Sequence, residues 1–274
     1  MTAHRDPLDI TTQYYYFKPM CAYFSSFALR AYRNAGCRLV PPILDLGCND
    51  GTFGTILGLT QDQPVSLIGL DIDLVMLRKA ESNNNKQYSA FVNSDATNLP
   101  FSDSSISTIF ANYIFPSVND LPAAITEIRR VLTADGRFYC TVNTCLFREC
   151  YLGGRLLRKL GFTHAANLYI DRIDRRFRMH NVSFSPQEWA DLFSEGGLRV
   201  TEIVGSYPRK LMSVWSFLAW TPVRIFGFLR WSPFKTLNRM STNLQRRIFT
   251  NRRLNPLDDE DPEGHTSILI SAGK

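Results

Sequence analysis

The chain has 274 residues, 45% of them hydrophobic and 20% charged, which fits one α/β domain with an added segment and excludes a disordered or fibrous protein. The longest apolar run, 211–229, is broken by Pro222 and Arg224, which makes it a poor membrane span. The net charge of +6 is local: ten Lys and Arg residues and no acid lie between Ile203 and Leu257, and the rest of the chain is net acidic.

The opening MTAHRDPLDITTQ lacks the apolar core of a secretory signal and reads as a disordered lead. Tyr14, Tyr15 and Tyr16 then precede a helix over 19–36, where apolar residues recur at three- and four-residue steps and Gly36 ends the run. The tyrosines are placed either to close over a ligand or to join the core. After Pro41 and Pro42, short apolar strands fall at 43–46, 66–71, 89–95, 107–112 and 137–142. Helices start after Gly51 and run over 74–80 and 121–132, with Ala134-Asp135-Gly136 as a turn before the fifth strand. This alternation predicts parallel strands with right-handed crossovers, a Rossmann-like doubly wound α/β sheet. Ser185 suits a helix N-cap, Pro186 its first position, and Glu188 completes a capping box; Gly196 and Gly197 stop that helix. Two more strands, 198–204 and 267–271, enclose a basic stretch that holds three of the four tryptophans.

Six cysteines, at 21, 37, 48, 140, 145 and 150, form no CxxC pair and have no histidine at metal-ligand spacing. They read as free thiols of a cytoplasmic protein, and no metal site is expected.

Ligands of doubly wound sheets bind beyond the carboxyl ends of the strands. The first strand ends in Asp45-Leu46-Gly47-Cys48-Asn49-Asp50-Gly51, directly before a helix. Glycines there let backbone approach a ligand, and Asn49 is among the few side chains that tolerate positive φ. Asp45 can orient the loop or meet a positive group. Asp71 closes the second strand, where a carboxylate accepts hydrogen bonds from ribose hydroxyls; Asp73 is the expected N-cap of the following helix. Ser94-Asp95-Ala96 closes the third strand, where a carboxylate can accept from an adenine amino group. A nicotinamide fingerprint would need glycine at 47, 49 and 52, and only Gly47 matches.

The segments ILDLGCNDGTFG, IGLDIDLVML, SDATNLPFSDSSIS and EIRRVLTADGRFYCTV together resemble the class I S-adenosylmethionine (SAM)-dependent methyltransferase family, of the small-molecule type, over about residues 40–145. The resemblance implies SAM as cofactor. It implies that Asp45, Gly47, Cys48, Asn49 and Gly51 hold its methionine end. Asp71 would bind ribose, Ile72 would pack on adenine, Asp95 and Ala96 would meet the adenine edge, and Asn112 would line the cleft. Asn49 stands where this family usually has glycine, and Asp135 where proline is common.

The organisation expected is an N-terminal helical cap over 1–40 and a SAM-binding domain over 41–207 with a lid at about 146–184. A helical insertion, the basic aromatic stretch 208–257, and an acidic turn with the final strand at 258–274 complete it. The expected activity is in-line methyl transfer to a small, lipophilic or glycosylated acceptor. The alternatives are a methyltransferase for RNA or protein, or a SAM-binding protein without turnover. His180, in the lid segment, is the candidate general base. Aromatics beside Arg and Lys over 208–257 suit peripheral contact with an anionic membrane. A nucleic-acid surface is disfavoured, since no RNA-binding module is recognisable and the rest of the chain is acidic.

Overall fold

The computed structural model describes residues 6–15, 19–83, 86–177, 184–209 and 264–274. His180, Tyr16 and all of the basic stretch beyond Arg209 therefore lie outside the described residues.

The described strands are β1 (Ile43–Leu46), β2 (Leu67–Asp71), β3 (Tyr88–Asn93), β4 (Ile106–Asn112), β5 (Leu132–Asn143), β6 (Arg199–Pro208) and β7 (His265–Gly273). They form one sheet in the order β3-β2-β1-β4-β5-β7-β6. β1 to β5 pair in parallel, and β7 runs antiparallel between β5 and β6. The order reverses at β1, which lies between β2 and β4, so the loop leaving β1 emerges at the switch point of the sheet.

Both faces of the sheet are covered, and the pleat sorts neighbouring residues between them. Leu44, Ile109, Phe138 and Ile268 enter one core with Trp189 and Phe193. Their immediate neighbours Ile43, Phe110, Tyr139 and Leu269 enter the other, with Tyr32 and Leu57. Trp189 belongs to α9 (Pro186–Glu195), whose capping box by Ser185 and Glu188 is present, and its indole donates to the Asn143 carbonyl at 2.9 Å. Tyr32 belongs to α2 (Pro19–Asn34), and its hydroxyl donates to the Ala111 carbonyl at 3.3 Å. Each polar tip finds a main-chain oxygen at a strand end, which allows full burial of a large ring.

Two expectations are corrected. The chain start is not wholly irregular: Pro7–Tyr14 form helix α1, capped by the Asp6 carboxylate, which accepts from the Leu8 N–H at 2.8 Å. An Asp-Pro pair with buried Leu8 and Ile10 behind it is a helix start with an apolar face. Ala134-Asp135-Gly136 is likewise no separate turn. β4 pairs first with Leu132 and then, across a register shift, with Arg137, so residues 133–136 are a bulge inside β5.

Helix α5 (Leu121–Val131) pins the segment that follows β3. The Arg130 guanidinium donates to the carbonyls of Leu99 and Phe101 at 2.9 and 2.8 Å and pairs with Glu127 and Asp103, each at 2.7 Å. Glu127 accepts the Leu99 N–H at 2.7 Å, and Arg130 holds its carboxyl below the usual range. Lysine has a point charge and cannot span both carbonyls. Arg130→Ala and Arg130→Lys should each destabilise the fold by about 2 kcal/mol, as expected for a group making several charge-assisted hydrogen bonds. Thermal unfolding should show this as a midpoint lowered by about 4–8 °C for a chain of this size.

Candidate functional site

The loop after β1 is built from alternating backbone conformations. Gly47, Asn49 and Gly51 all have positive φ, at 76°, 51° and 73°. A Cβ at Gly47 would also overlap the Ile114 side chain, so that position is closed to other residues twice over. Asn49 adopts the left-handed conformation in the place of a glycine, as its residue type permits.

Neighbouring groups fix this conformation. The Leu70 carbonyl accepts the N–H groups of Gly47 and Cys48 at 2.7 and 3.0 Å. Asp71 Oδ2 accepts the Asn49 N–H at 2.8 Å, and Asp71 Oδ1 the Asp73 N–H at 2.9 Å. Asp73 in turn caps α4 (Leu74–Ser82), as its position predicts. The Asp50 N–H donates to Asn49 Oδ1, the Gly51 N–H to the Cys48 carbonyl, and the Thr52 N–H to Asp50 Oδ1, at 2.8, 2.9 and 3.3 Å. Every backbone N–H from Gly47 to Thr52 is thus taken within the protein. A loop that cradles a pyrophosphate must offer such groups to the anion. This one has none to offer, since all of them are bound internally.

Asp50, which sequence reasoning did not single out, clamps the loop from the other side. Lys79 of α4 pairs with its Oδ2 at 2.7 Å, and Asn83 donates to its carbonyl at 3.3 Å. Burial disfavours its charge, but Lys79 and Thr52 outweigh this and hold its carboxyl below the usual range.

Asp45 is 2% exposed and lies beneath the loop. Tyr88, at the start of β3, donates its hydroxyl to Asp45 Oδ2. Helix α3 (Thr52–Leu59) passes over this pair at Gly54, where any Cβ would overlap both groups. Burial, helped by the nearby Asp71 charge and opposed by the Tyr88 hydrogen bond, pushes the Asp45 carboxyl up to about 7. Tyr15 stands close enough that Asp50 and Asp45 both act on its phenol, after burial and a hydrogen bond with Ser25. Tyr14 is exposed. The Cys48 side chain is buried toward Gly69, so only its main chain belongs to the loop surface.

The strand ends beside the loop carry the remaining predicted residues. Asn93 donates to the carbonyls of Asp71 and Ile72 at 2.9 and 3.0 Å, which sets the ends of β2 and β3 side by side. Ile72 is 66% exposed there. Asp95 is exposed and accepts from the Thr97 N–H and hydroxyl, both at 2.9 Å, while Ala96 is partly buried against the core. Asn112, at the end of β4, accepts from the Thr141 hydroxyl at 2.7 Å.

A cavity of about 460 Å³ lies where α6 (Leu146–Glu149) follows the carboxyl end of β5. Cys145, Arg148, Arg158, Asn167 and Asp171 are among its lining, and Arg148 pairs with Asp171 and Asp174 at 2.8 and 2.7 Å. All six cysteines are free thiols, and no group of three or more potential metal ligands occurs among the described residues.

A family model described as a methyltransferase domain matches residues 44–140, from β1 to the middle of β5. Residues 44–140 are therefore similar to a methyltransferase domain. A demethylmenaquinone methyltransferase of Roseiflexus castenholzii is 33% identical over 117 residues, 40% of this chain and 48% of its own length. A malonyl-[acyl-carrier protein] O-methyltransferase of Methylococcus capsulatus is 34% identical over 136 residues, 47% of this chain and 48% of its own. The chain therefore spans about half the length of these curated relatives. Among solved structures, a geranyl diphosphate C-methyltransferase of Streptomyces coelicolor, in complex with S-adenosyl-L-homocysteine, superposes with a TM-score of 0.55 at 13% identity. That match covers 90% of this chain and 77% of the other, and at this identity it shows the fold alone.

The raised Asp45 group makes a stability prediction. Its folded value of about 7 exceeds the ordinary 3.8, so the folded state keeps a proton that the unfolded state loses. This contribution is fully present below about pH 4 and is lost as pH rises through about 7. Asp45→Asn cannot ionise. Its melting temperature relative to the unaltered protein should therefore be higher at pH 8 than at pH 5, and a pH-independent difference would exclude ionisation of Asp45.

Proposed function

We propose that the chain transfers the methyl group of SAM to a small acceptor with a lipophilic part and a polar or anionic head. The observation that carries this is the loop whose N–H groups are all used internally, above three carboxylates. Oxygen acceptors without free donors suit a cation, and SAM carries a sulfonium and an ammonium against a single carboxylate. When bound, SAM supplies an already activated methyl group.

The residues present fit such a cofactor. The main chain of Gly47, Cys48, Asn49 and Gly51 would take its methionine end, with Asp45 contributing negative potential from below. Asp71 would accept from the ribose hydroxyls with lone pairs not used by Asn49 and Asp73. Ile72, apolar and exposed at a strand end, would cover one adenine face, Asp95 and Ala96 would border the adenine edge, and Asn112 would line the cleft. The chain's remaining task is placement, because holding two reactants in register supplies much of the rate in a direct displacement.

The acceptor reading is supported by the relatives, named for demethylmenaquinone and malonyl-acyl-carrier protein, and by the fold neighbour solved with geranyl diphosphate. The cavity beside α6 suits a polar head, since Arg148, Glu149, Arg158 and Asp171 all line it.

Calorimetric titration with SAM should give saturable binding. Asp71→Ala should weaken it by at least about tenfold, the scale of lost hydrogen bonds to a charged group. Asp71→Asn, which keeps an oxygen for the Asn49 N–H, should weaken it less. With methyl-labelled SAM and an extract of the source cells, label should appear in the organic or small-molecule fraction. Label in protein or nucleic acid would reject the acceptor class, and binding without any transfer would reject turnover.

A further inference from the structure

Helix α7 (Leu152–Lys159) and helix α8 (Thr163–Phe177) form a hairpin at the edge of the molecule. α7 packs on α8 through glycine: a Cβ at Gly154 would stand 3.0 Å from the Ile170 side chain, and one at Gly153 would overlap the Tyr169 ring. Leu152, Leu156 and Leu160 recur at four-residue steps and so form a stripe on a different face. They are 36%, 56% and 61% exposed. Gly161, with φ of 82°, reverses the helix end: its N–H donates to Arg158 and the Phe162 N–H to Leu157, at 3.0 and 2.8 Å. Phe162, 59% exposed, extends the apolar surface past the turn.

Charge decides what this surface fits. Arg155 and Lys159 each sit one residue before a leucine of the stripe, and with Arg158 they are the only charged residues between Glu149 and Asp171. The cation-rich stretch begins beside the same hairpin: Arg209 pairs with Glu149 at 2.9 Å, and its carbonyl lies 3.7 Å from Cys150 Sγ. That stretch has no acid before Asp258, so it carries the same sign of charge as the α7 edge. Both attract an anionic surface. No described helix is long and apolar enough to cross a bilayer, and an exposed apolar stripe flanked by cations suits an interfacial contact.

We propose that the α7–α8 corner is a membrane-docking surface that seats Leu156, Leu160 and Phe162 at the acyl boundary of an anionic bilayer, with Lys159 at the phosphates. This stands independently of methyl transfer. One short helix binds weakly alone, and the basic stretch supplies the second signal that stable attachment needs.

The test is sedimentation of the full chain with phosphatidylcholine vesicles, with and without phosphatidylglycerol. The unaltered protein should pellet with the anionic vesicles at low salt and be released by high salt. A Leu156→Glu/Leu160→Glu double variant keeps the basic stretch and alters only exposed side chains, so its circular dichroism and melting should be unchanged. Its partition should fall by at least about tenfold, given the apolar area that two leucines bury. Equal pelleting of the double variant would overturn the proposal, as would failure of the unaltered protein to pellet with anionic vesicles. A concentration-dependent dimer that the double variant dissolves, without vesicle binding, would overturn it in favour of a second copy of the chain.

Discussion

Three consecutive N–H groups, of Gly47, Cys48 and Asn49, end on the last residues of β2, two on the Leu70 carbonyl and one on the Asp71 carboxylate. The candidate site depends on this junction. It requires β2 to finish level with β1, and the parallel register that pairs Leu46 with Leu70 supplies that alignment. The same carboxylate takes the Asp73 N–H, so one side chain ties the β1 loop to the start of α4. The sheet pairing is therefore upstream of the site chemistry: a register slip would turn the loop as well as the strands.

Beneath that junction lies an unusual concentration of acid. Asp45, Asp50 and Asp71 surround one short loop, and among described residues Lys79 pairs with Asp50 alone. Burying Asp45 costs free energy that the Tyr88 hydroxyl offsets only in part, as the upward displacement of its titration records. Such an arrangement is poor for stability, and it would favour a cationic ligand most once Asp45 is ionised, above about pH 7.

How much of this was legible in the sequence depends on the range over which each feature is encoded. The positive φ at Asn49 and the caps by Asp73 and Ser185 are local, and the residue types at those positions announce them. The strand succession followed from apolar runs separated by turns, whereas the register that sets Asn93 beside Asp71 depends on pairing between strands and was not legible. Tyr88 was not legible: its partner is 43 residues away, and nothing in a tyrosine at a strand start marks it as a donor to a buried acid. Asp50 was hidden for the same reason, since Lys79 lies 29 residues on. The bulge in β5 was missed because Ala134-Asp135-Gly136 has the composition of a turn, and only pairing with β4 on both sides carries the strand through it.

The antiparallel placement of β7 has a thermodynamic corollary. Pro208 and His265 are partners across adjacent strands, so the long stretch between them starts and finishes at one point on the sheet edge. The entropy of closing such a loop rises only logarithmically with its length. A change in the length of that stretch therefore costs little free energy while the described strands keep their order.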